Sequence, residues 1–372
     1  MFKKRRSQLN RHIIHCCCLI LLFGLGWSCN NDLRLPLDPT LHLDEKMSER
    51  LNKAAKLPVR ADLKHSLQTP AGHRKLYTVE TDGILYQQYQ PKLKAQDERY
   101  ILRSLLIPPR ALYRLQIYFS DQRYHPLSSE ALLRRKEIHG LVNGSFFGSY
   151  PAGDMLGQRC DRSGEHCQPG IFFQSETRSG KNLNLRYCFV IDRLGKAGIF
   201  RGGLGPKSYR SYRTALGGGI LLFDKIKSPD LYQAVGSKKY NTLYSQTRYN
   251  HRDLLASGQG GFPLRYTPRT AMGILPSGAV VIVTLGEGKY RYQGGANPAQ
   301  MALLLKQMGA VKALLFDGGG APQLALKNNQ NQLIVRSLPE VTRKSNYLNN
   351  YSFIGIQQLD KKTHKITGTP RP

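Results

Sequence analysis

Short apolar runs separated by turn residues dominate the chain from about residue 77 onward. Runs such as "YILRSLLI", "LYRLQIYF", "LRYCFVI", "GILLF" and "AVVIVTL" are five to eight residues long. They are rich in β-branched and aromatic residues, which is typical of strands. The pattern therefore predicts a β-rich domain over residues 77–360.

Two segments have helical signals instead. "SSEALLRRKEI", residues 128–138, offers Ser128 or Ser129 as an N-cap. "NPAQMALLLKQMG" places Asn297 at the cap, Pro298 at the first helical position and Gly309 at the stop. The apolar run "VKALLF" follows at once and predicts a buried strand that ends at Asp317, directly before three glycines.

The N-terminal segment has the features of an export signal. A basic stretch precedes the apolar "IIHCCCLILLFGLGW" and small residues near "GWSCN". Residues 1–28 are the predicted signal peptide, and Cys29 is the candidate lipidated residue because "GLGWSC" is similar to a lipobox. Cleavage after Ser28 without lipidation, and an uncleaved anchor, remain alternatives. Residues 29–76 are predicted to form a tether with one short helix, and residues 361–372 a disordered basic tail.

Charge and composition limit the classes of partner. The chain has 372 residues, 40% hydrophobic, with a net charge of +30. Five of the basic residues lie in the predicted signal, so 30 − 5 leaves about +25 on the mature chain. The basic residues are scattered and no nucleic-acid motif occurs, so no nucleic-acid partner is expected. Attraction to acidic polymers or membrane surfaces explains the charge.

Three cysteines of the domain have different expected roles. Cys160 and Cys167, in the polar "CDRSGEHC", are disulfide candidates in an exported chain. A zinc site using His166 is the alternative, although no second ligand pair is found. Cys188 lies in a strand-like run and is expected to be a buried thiol.

Four glycine-containing segments together suggest an anion site. They are "LVNGSFFGSYPAGD", "RTALGGGILLF", "YTPRTAMGILPSG" and "LLFDGGGAP". Unpaired glycine amides can bind anionic oxygens, and an arginine fork matches phosphate. No segment matches a P-loop, a Gly-x-Ser-x-Gly elbow or a His-Glu-x-x-His helix. Taken singly, the segments can also be plain turns, Phe146 and Phe147 core residues, and Asp154 a solvated loop residue.

The order of these segments over residues 77–360 resembles the phosphodiester glycosidase family. "NGSFF" and "LLFDGGG" are the most specific parts of the resemblance. The family implies hydrolysis of a sugar from a phosphodiester, on an α+β fold with mixed, largely antiparallel sheets and a few flanking helices. The resemblance implies that Asp317, Arg269 and Asn143 are catalytic. It implies substrate contacts from Gly144, Thr270, Gly318 and Gly319.

Two departures from the family pattern affect this site. Ala321 stands where the family usually has serine, and "TLGEGKYRY" replaces an Asp-Gly-Arg turn. Glu287 in that segment is a further candidate for substrate binding, or a plain loop residue. A carboxylate beside a phosphate is repulsive unless it is protonated or metal-bound, so a divalent cation at Asp317 is also considered.

The sequence thus predicts an exported, lipid-anchored glycosidase in a bacterium, periplasmic or membrane-attached. Its expected partner is a phosphate-linked glycan of the envelope or of an external polymer. The departures at Ala321 and Glu287 favour an alternative, which is a non-catalytic protein that binds anionic glycans or assists envelope assembly. The pattern gives no expectation for the oligomeric state.

Overall fold

A computed structural model of the chain describes residues 67–81, 83–92, 100–120, 122, 125–146, 153–161, 163–173, 187–202, 204, 209–224, 267–286, 294–296, 298–318, 321–337 and 349–358. The predicted signal peptide, most of the tether and the C-terminal tail lie outside these residues. The described helices include no segment that is long and apolar enough to cross a bilayer.

Strands make up most of the described secondary structure. Their bounds are β1 His73–Thr81, β2 Ile84–Pro91, β3 Leu102–Ile107, β4 Leu115–Phe119, β5 Leu127–Ser128, β6 Ile138–Asn143, β7 Met155–Cys160, β8 Cys167–Phe172, β9 Tyr187–Asp192, β10 Ala197–Arg201, β11 Tyr212–Asp224, β12 Arg269–Ile274, β13 Val280–Leu285, β14 Lys312–Gly318, β15 Leu324–Lys327, β16 Leu333–Ser337, β17 Asn349–Asn350 and β18 Ser352–Gln357. The described helices are α1 Ser129–Arg134, α2 Pro298–Gln307 and two short 3-10 helices, Pro109–Arg114 and Tyr209–Ser211.

One long sheet joins most of these strands. Its path through the described residues is β1-β2-β3-β13-β12-β14-β11-β7-β4-β18-β6-β15-β16, with β8, β9 and β10 attached beside β7 and β11. β4 and β7 pair in parallel, whereas the neighbours of β12 and of β18 are antiparallel. The predicted α+β class with largely antiparallel sheets is confirmed.

The sheet folds over on itself around one apolar core. Side chains of β3, β12 and β13, such as Leu105, Met272 and Ile282, share this core with Ile117 of β4 and Ile354 of β18. These strands lie in distant parts of the sheet order, so their common core requires curvature. We call this cluster the central core. A second apolar layer lies between α2 and the opposite face of β11–β14.

α2 follows its sequence signals closely. Met301, Leu305 and Met308 are buried in the second layer, at the spacing of one helical face. Gly309 has φ +95 and its N–H donates to the Lys306 carbonyl. This left-handed conformation is one that glycine adopts without penalty, so the predicted stop is confirmed.

Several predicted boundaries were wrong. The helix predicted over 128–138 ends at Arg134, because Arg135 is already extended and Ile138 begins β6, which is paired on both sides. The start of "LYRLQIYF" is a 3-10 turn opened by Pro109, so β4 begins only at Leu115. β1 begins at His73, upstream of residue 77. Pairing with distant strands decides these limits, and local propensity does not report it.

His139 makes the fold sensitive to acid. Its imidazole is fully buried at the start of β6. Desolvation, followed by the positive charges of Arg114 and Lys327, lowers the pKa of His139 from 6.5 to about 3, although a hydrogen bond with Gln358 opposes this shift. In the unfolded chain the His139 imidazole therefore becomes protonated as the pH falls below 6.5, whereas in the folded chain it stays neutral until about pH 3.

We expect this group to lower the free energy of unfolding by about 1.4 kcal/mol per pH unit as the pH falls below 6.5. His139→Gln should flatten this slope, whatever its effect on stability at pH 7. Denaturant unfolding between pH 7.5 and 4 measures it. His73→Gln, at a partly exposed histidine, is the matched control. Equal slopes in both variants and the wild type would contradict the assignment.

Candidate active site

Three strand ends carry most of the candidate residues. Asn143 is the last residue of β6, Arg269 and Thr270 open β12, and Asp317 and Gly318 close β14. β12 and β14 are antiparallel neighbours in which Arg269 faces Gly318. Residues that are 174 positions apart in the chain, Asn143 and Asp317, thereby come into contact.

A bulge in β14 changes the direction of the strand at Asp317. Arg269 pairs with Gly318 and Ala271 pairs with Leu315, so two steps along β12 correspond to three along β14. The extra residue leaves both Phe316 and Asp317 opposite Thr270. Such bulges bend a strand and re-aim its side chains, often beside functional sites.

The side-chain amide of Asn143 connects four strands. Its Oδ1 accepts a hydrogen bond from Thr270 Oγ1 at 2.5 Å and from the Gln323 N–H at 3.1 Å. Its Nδ2 donates to the Asp317 carbonyl at 3.2 Å. The residue is fully buried. Asn143 therefore positions neighbouring groups within the protein through the hydrogen bonds of its side chain.

The backbone of Asp317 is held on both sides by residues 143 and 144. Its carbonyl accepts from Asn143, as above, and its N–H donates to the Gly144 carbonyl at 3.3 Å. The carboxylate Oδ1 accepts from the Gly318 N–H at 2.8 Å. This bond orients the carboxylate, and it occupies the N–H of Gly318, a residue for which the family resemblance implies a substrate contact.

Arg269 is buried against Gly318 and the start of α2. Its Nε donates to the Ala296 carbonyl at 3.1 Å, and the side chain is 0% exposed. A Cβ at Gly318 would lie 3.1 Å from Arg269 Nη1, so glycine allows the guanidinium to pack on the backbone. α2 begins two residues after Ala296. The positive end of the helix dipole therefore lies beside this arginine.

The geometry agrees with a family match over more than half of the chain. The model for phosphodiester glycosidases matches residues 138–350. The chain belongs to the phosphodiester glycosidase family. Among curated proteins, none matches it.

Two solved structures resemble this phosphodiester glycosidase chain at low identity. One is the catalytic domain of zebrafish N-acetylglucosamine-1-phosphodiester alpha-N-acetylglucosaminidase, auto-inhibited by its pro-peptide. It has a TM-score of 0.45 and 14% identity, covering 79% of this chain and 86% of that one. The other is a hypothetical protein from Synechocystis, with a TM-score of 0.41 and 15% identity, covering 78% and 69%. Both are too distant to transfer a function.

Three predicted residues cannot be placed in this site. Gly319, Glu287 and Cys29 lie outside the described residues. Ala321 is buried, and its N–H donates to the Gly318 carbonyl at 3.3 Å. The family's serine is thus replaced by a methyl group inside the turn that follows β14.

The described residues do not assemble a metal site. No group of three or more His, Cys, Asp or Glu side chains within them is placed to hold an ion. Cys160 and Cys167 form a disulfide across the β7–β8 pair. That bond removes the thiolates that a zinc site with His166 would need.

The phosphodiester glycosidase domain uses two further glycine segments for packing. Gly217 donates its N–H to the Asp154 carbonyl at 2.7 Å, and a Cβ on Gly153 would lie 2.1 Å from the Gly218 nitrogen. The glycines of "RTALGGG" therefore allow two antiparallel backbone segments to lie in close contact, instead of forming an open anion nest. They precede Ile220, which pairs with Leu315, so this contact lies beside the Asp317 end of β14.

The alternative interpretation of Asp154 as a solvated loop residue does not hold. It is 5% exposed, and its Oδ2 accepts from the Leu204 N–H at 2.6 Å. Burial, together with the negative charge of Asp154, raises the pKa of the Cys188 thiol well above its ordinary value. The signal in the sequence that could have indicated the burial of Asp154 is its position directly before β7. Gln323 and Ser352, which hold Asn143 and Gly144, were also missed because only the fold brings them there.

Gly144 leaves no room for a side chain. A Cβ there would lie 2.3 Å from Ser352 Oγ and 2.7 Å from the Ser352 carbonyl oxygen. Its N–H donates to that carbonyl at 2.9 Å. The Ser352 hydroxyl also accepts from the Ser145 N–H at 3.1 Å. The close approach is required for residues 143 and 144 to reach Asp317.

We expect Gly144→Ala to destabilise the domain by about 3 kcal/mol or more, because the methyl group meets backbone atoms that cannot rotate away. Denaturant unfolding measures the change. Gly198→Ala is the control, since its Cβ would meet only Val190 Cγ2 at 3.4 Å, and it should alter stability by less than about 1 kcal/mol. Equal effects of the two changes would contradict the steric account.

Proposed function

We propose that the domain hydrolyses the bond between a sugar and the phosphate of a glycosyl phosphodiester in an envelope or extracellular glycan. The observation that carries this proposal is the convergence of Asp317, Arg269 and the Asn143–Thr270 pair at the bulged end of β14. Asp317 is the carboxylate that acts at the anomeric carbon by deprotonating the attacking water. Arg269 binds the phosphate that departs.

The chemistry of the leaving group supports a site with a single carboxylate. Most glycosidases use two carboxyl groups, one of which protonates a poorly acidic sugar alcohol. A phosphate monoester has a second pKa of about 6, so it leaves without a proton donor. What it requires is cationic stabilisation of the oxygens as the bond breaks. Arg269 beside the N-terminal end of α2 supplies that charge.

Asn143 then serves as a positioning residue. Its amide fixes the Asp317 carbonyl and the Thr270 hydroxyl through hydrogen bonds that do not involve substrate. The carboxylate is fixed separately by the Gly318 N–H. Rigid placement of this kind is how a protein converts a bimolecular attack into a nearly unimolecular one.

The proposal further includes export and a lipid anchor at Cys29. It is supported by the N-terminal sequence and by the Cys160–Cys167 disulfide, because such bonds persist in oxidising compartments. The anchor would hold the domain at the membrane of a bacterial envelope, where phosphate-linked glycans occur as substrates.

Asp317→Asn should lower kcat for release of sugar from a glycosyl 1-phosphodiester by on the order of 10²–10⁴-fold. Arg269→Lys should lower kcat/KM by on the order of 10²–10³-fold, since lysine keeps the charge but loses the planar fork. Asp192→Asn is the control, because Asp192 also ends a strand and accepts backbone N–H groups at 2.8 Å. Full activity in both site variants would refute the mechanism. Binding without turnover by the wild type would favour the glycan-binding alternative.

Cys29→Ala should release the protein from bacterial membranes into the soluble fraction and abolish incorporation of labelled fatty acid. Cys18→Ala, in the predicted signal, is the control and should change neither. The lipid anchor is refuted if the wild type incorporates no label.

A further inference from the structure

A row of polar side chains crosses the sheet next to the Asn143–Thr270 bond. Thr270 of β12 pairs directly with Thr284 of β13, Thr284 pairs with Arg103 of β3, and Arg103 pairs with Gln88 of β2. Directly paired residues in antiparallel strands project from the same face of the sheet. These four residues form what we call the inner polar row.

The inner polar row borders the central core. Two positions along each strand from Thr270, Thr284 and Arg103 lie Met272, Ile282 and Leu105, which belong to that core. The face is therefore apolar along most of its length and turns polar at the end where Asn143 meets Thr270. A polar band beside a packed core is costly unless its groups find partners.

Thr284 is the residue in the row whose hydroxyl lacks a partner. It is 1% exposed, and its Oγ1 makes no hydrogen bond within the part of the chain that the structure describes. The Thr270 hydroxyl, by contrast, donates a hydrogen bond to Asn143 Oδ1. Leaving a buried hydroxyl unsatisfied costs about 1–3 kcal/mol. A valine would be nearly isosteric and would avoid that cost, so the hydroxyl points to a bound ligand.

The row lies on the opposite face of β12 from Arg269. Successive residues of a strand alternate between faces, and Ala271, on the Arg269 side, packs in the layer under α2. A ligand with its phosphate at Arg269 would thus cross the end of β12, and its sugar would reach the inner polar row. Asp317 lies on the adjacent bulge of β14, opposite Thr270.

We propose that the inner polar row binds the sugar of an acidic glycan, with Thr284 Oγ1 bonding a sugar hydroxyl and Arg103 binding an anionic substituent. The proposal rests on the proposed function for the position of the scissile bond. Arg103 is 7% exposed and lies between Thr284 and Gln88 in the row, two strand spacings or about 10 Å from Thr270. A carboxylate and a phosphate each present two anionic oxygens that the planar guanidinium can bind bidentately, so the substituent is either a uronic carboxylate or a sugar phosphate.

The test measures binding separately from turnover. Calorimetry on the Asp317→Asn protein uses three probes, which are the C1 methyl phosphodiesters of glucose, glucuronic acid and glucose 6-phosphate. When Thr284→Val is combined with Asp317→Asn, binding of all three probes should weaken about fivefold. When Arg103→Lys is combined with Asp317→Asn, binding should weaken about tenfold or more only for the glucuronic acid and glucose 6-phosphate probes, whose sugars carry an additional anionic group. Preference for glucuronic acid identifies a carboxylate substituent, and preference for glucose 6-phosphate a phosphate.

Thr214→Val is the matched control. Thr214 is also buried in a strand, but its hydroxyl donates to the Leu156 carbonyl at 2.9 Å. Thr214→Val should lower the melting temperature and leave binding unchanged, whereas Thr284→Val should weaken binding without lowering the melting temperature. A purely structural Thr284 would not give this opposite pattern.

The two proposals fail in different ways. Wild-type turnover with unchanged affinities in Thr284→Val and Arg103→Lys would overturn the inner polar row as a sugar site and leave the proposed function standing. Probe binding that weakens as expected, without any wild-type turnover, would refute hydrolysis and support the row. A crystal structure with bound probe in which Thr284 Oγ1 bonds only water would also overturn the inner polar row as a sugar site.

Discussion

A single buried amide, that of Asn143, holds together the strand ends on which the site depends. An amide away from water must have its oxygen and nitrogen satisfied by protein groups. Asn143 meets this requirement with Thr270 of β12, the Asp317 carbonyl of β14 and the Gln323 N–H at the start of β15. Removing the amide would leave these groups buried without their partner. The satisfaction of one side chain thereby fixes the relative positions of four strands.

The same constraint explains why glycine follows asparagine. Asp317 is held by the side chain of Asn143 and by the carbonyl of Gly144, so both residues must lie against β14. On its other side Gly144 contacts the backbone of Ser352 in β18, where no Cβ fits. From the sequence, the pair "NG" is predicted to be either a plain turn or part of the substrate site. In the structure it closes the gap between β14 and β18.

Local signals predicted what depends on neighbouring residues. The helix start at Pro298, the stop at Gly309 and the strand leading to Asp317 are encoded within about twenty residues of each other. The order of the segments indicated the family, and the resemblance pointed to Asn143, Arg269 and Asp317, which the fold brings together. Sequence could not give the bulge in β14 or the pairing of Thr270 with Thr284 and Arg103, because these depend on register between distant strands. In the sequence, the inner polar row shows only as Arg103 inside the apolar run "YILRSLLI" and Thr284 inside "AVVIVTL".

Alternation along β12 gives this site two sides. Arg269 faces the layer under α2, and Thr270 faces the central core. Adjacent residues of β12 therefore present a guanidinium on one face of the sheet and a hydroxyl on the other. A sugar phosphate has the same division, with an anion on one side of the scissile bond and hydroxyls on the opposite side. The bulge in β14 leaves Asp317 as well as Phe316 opposite Thr270, so the carboxylate is carried by the irregular step at the end of the strand. In the proposed mechanism, this irregular register is the feature that brings one carboxylate to a bond lying across the end of the sheet.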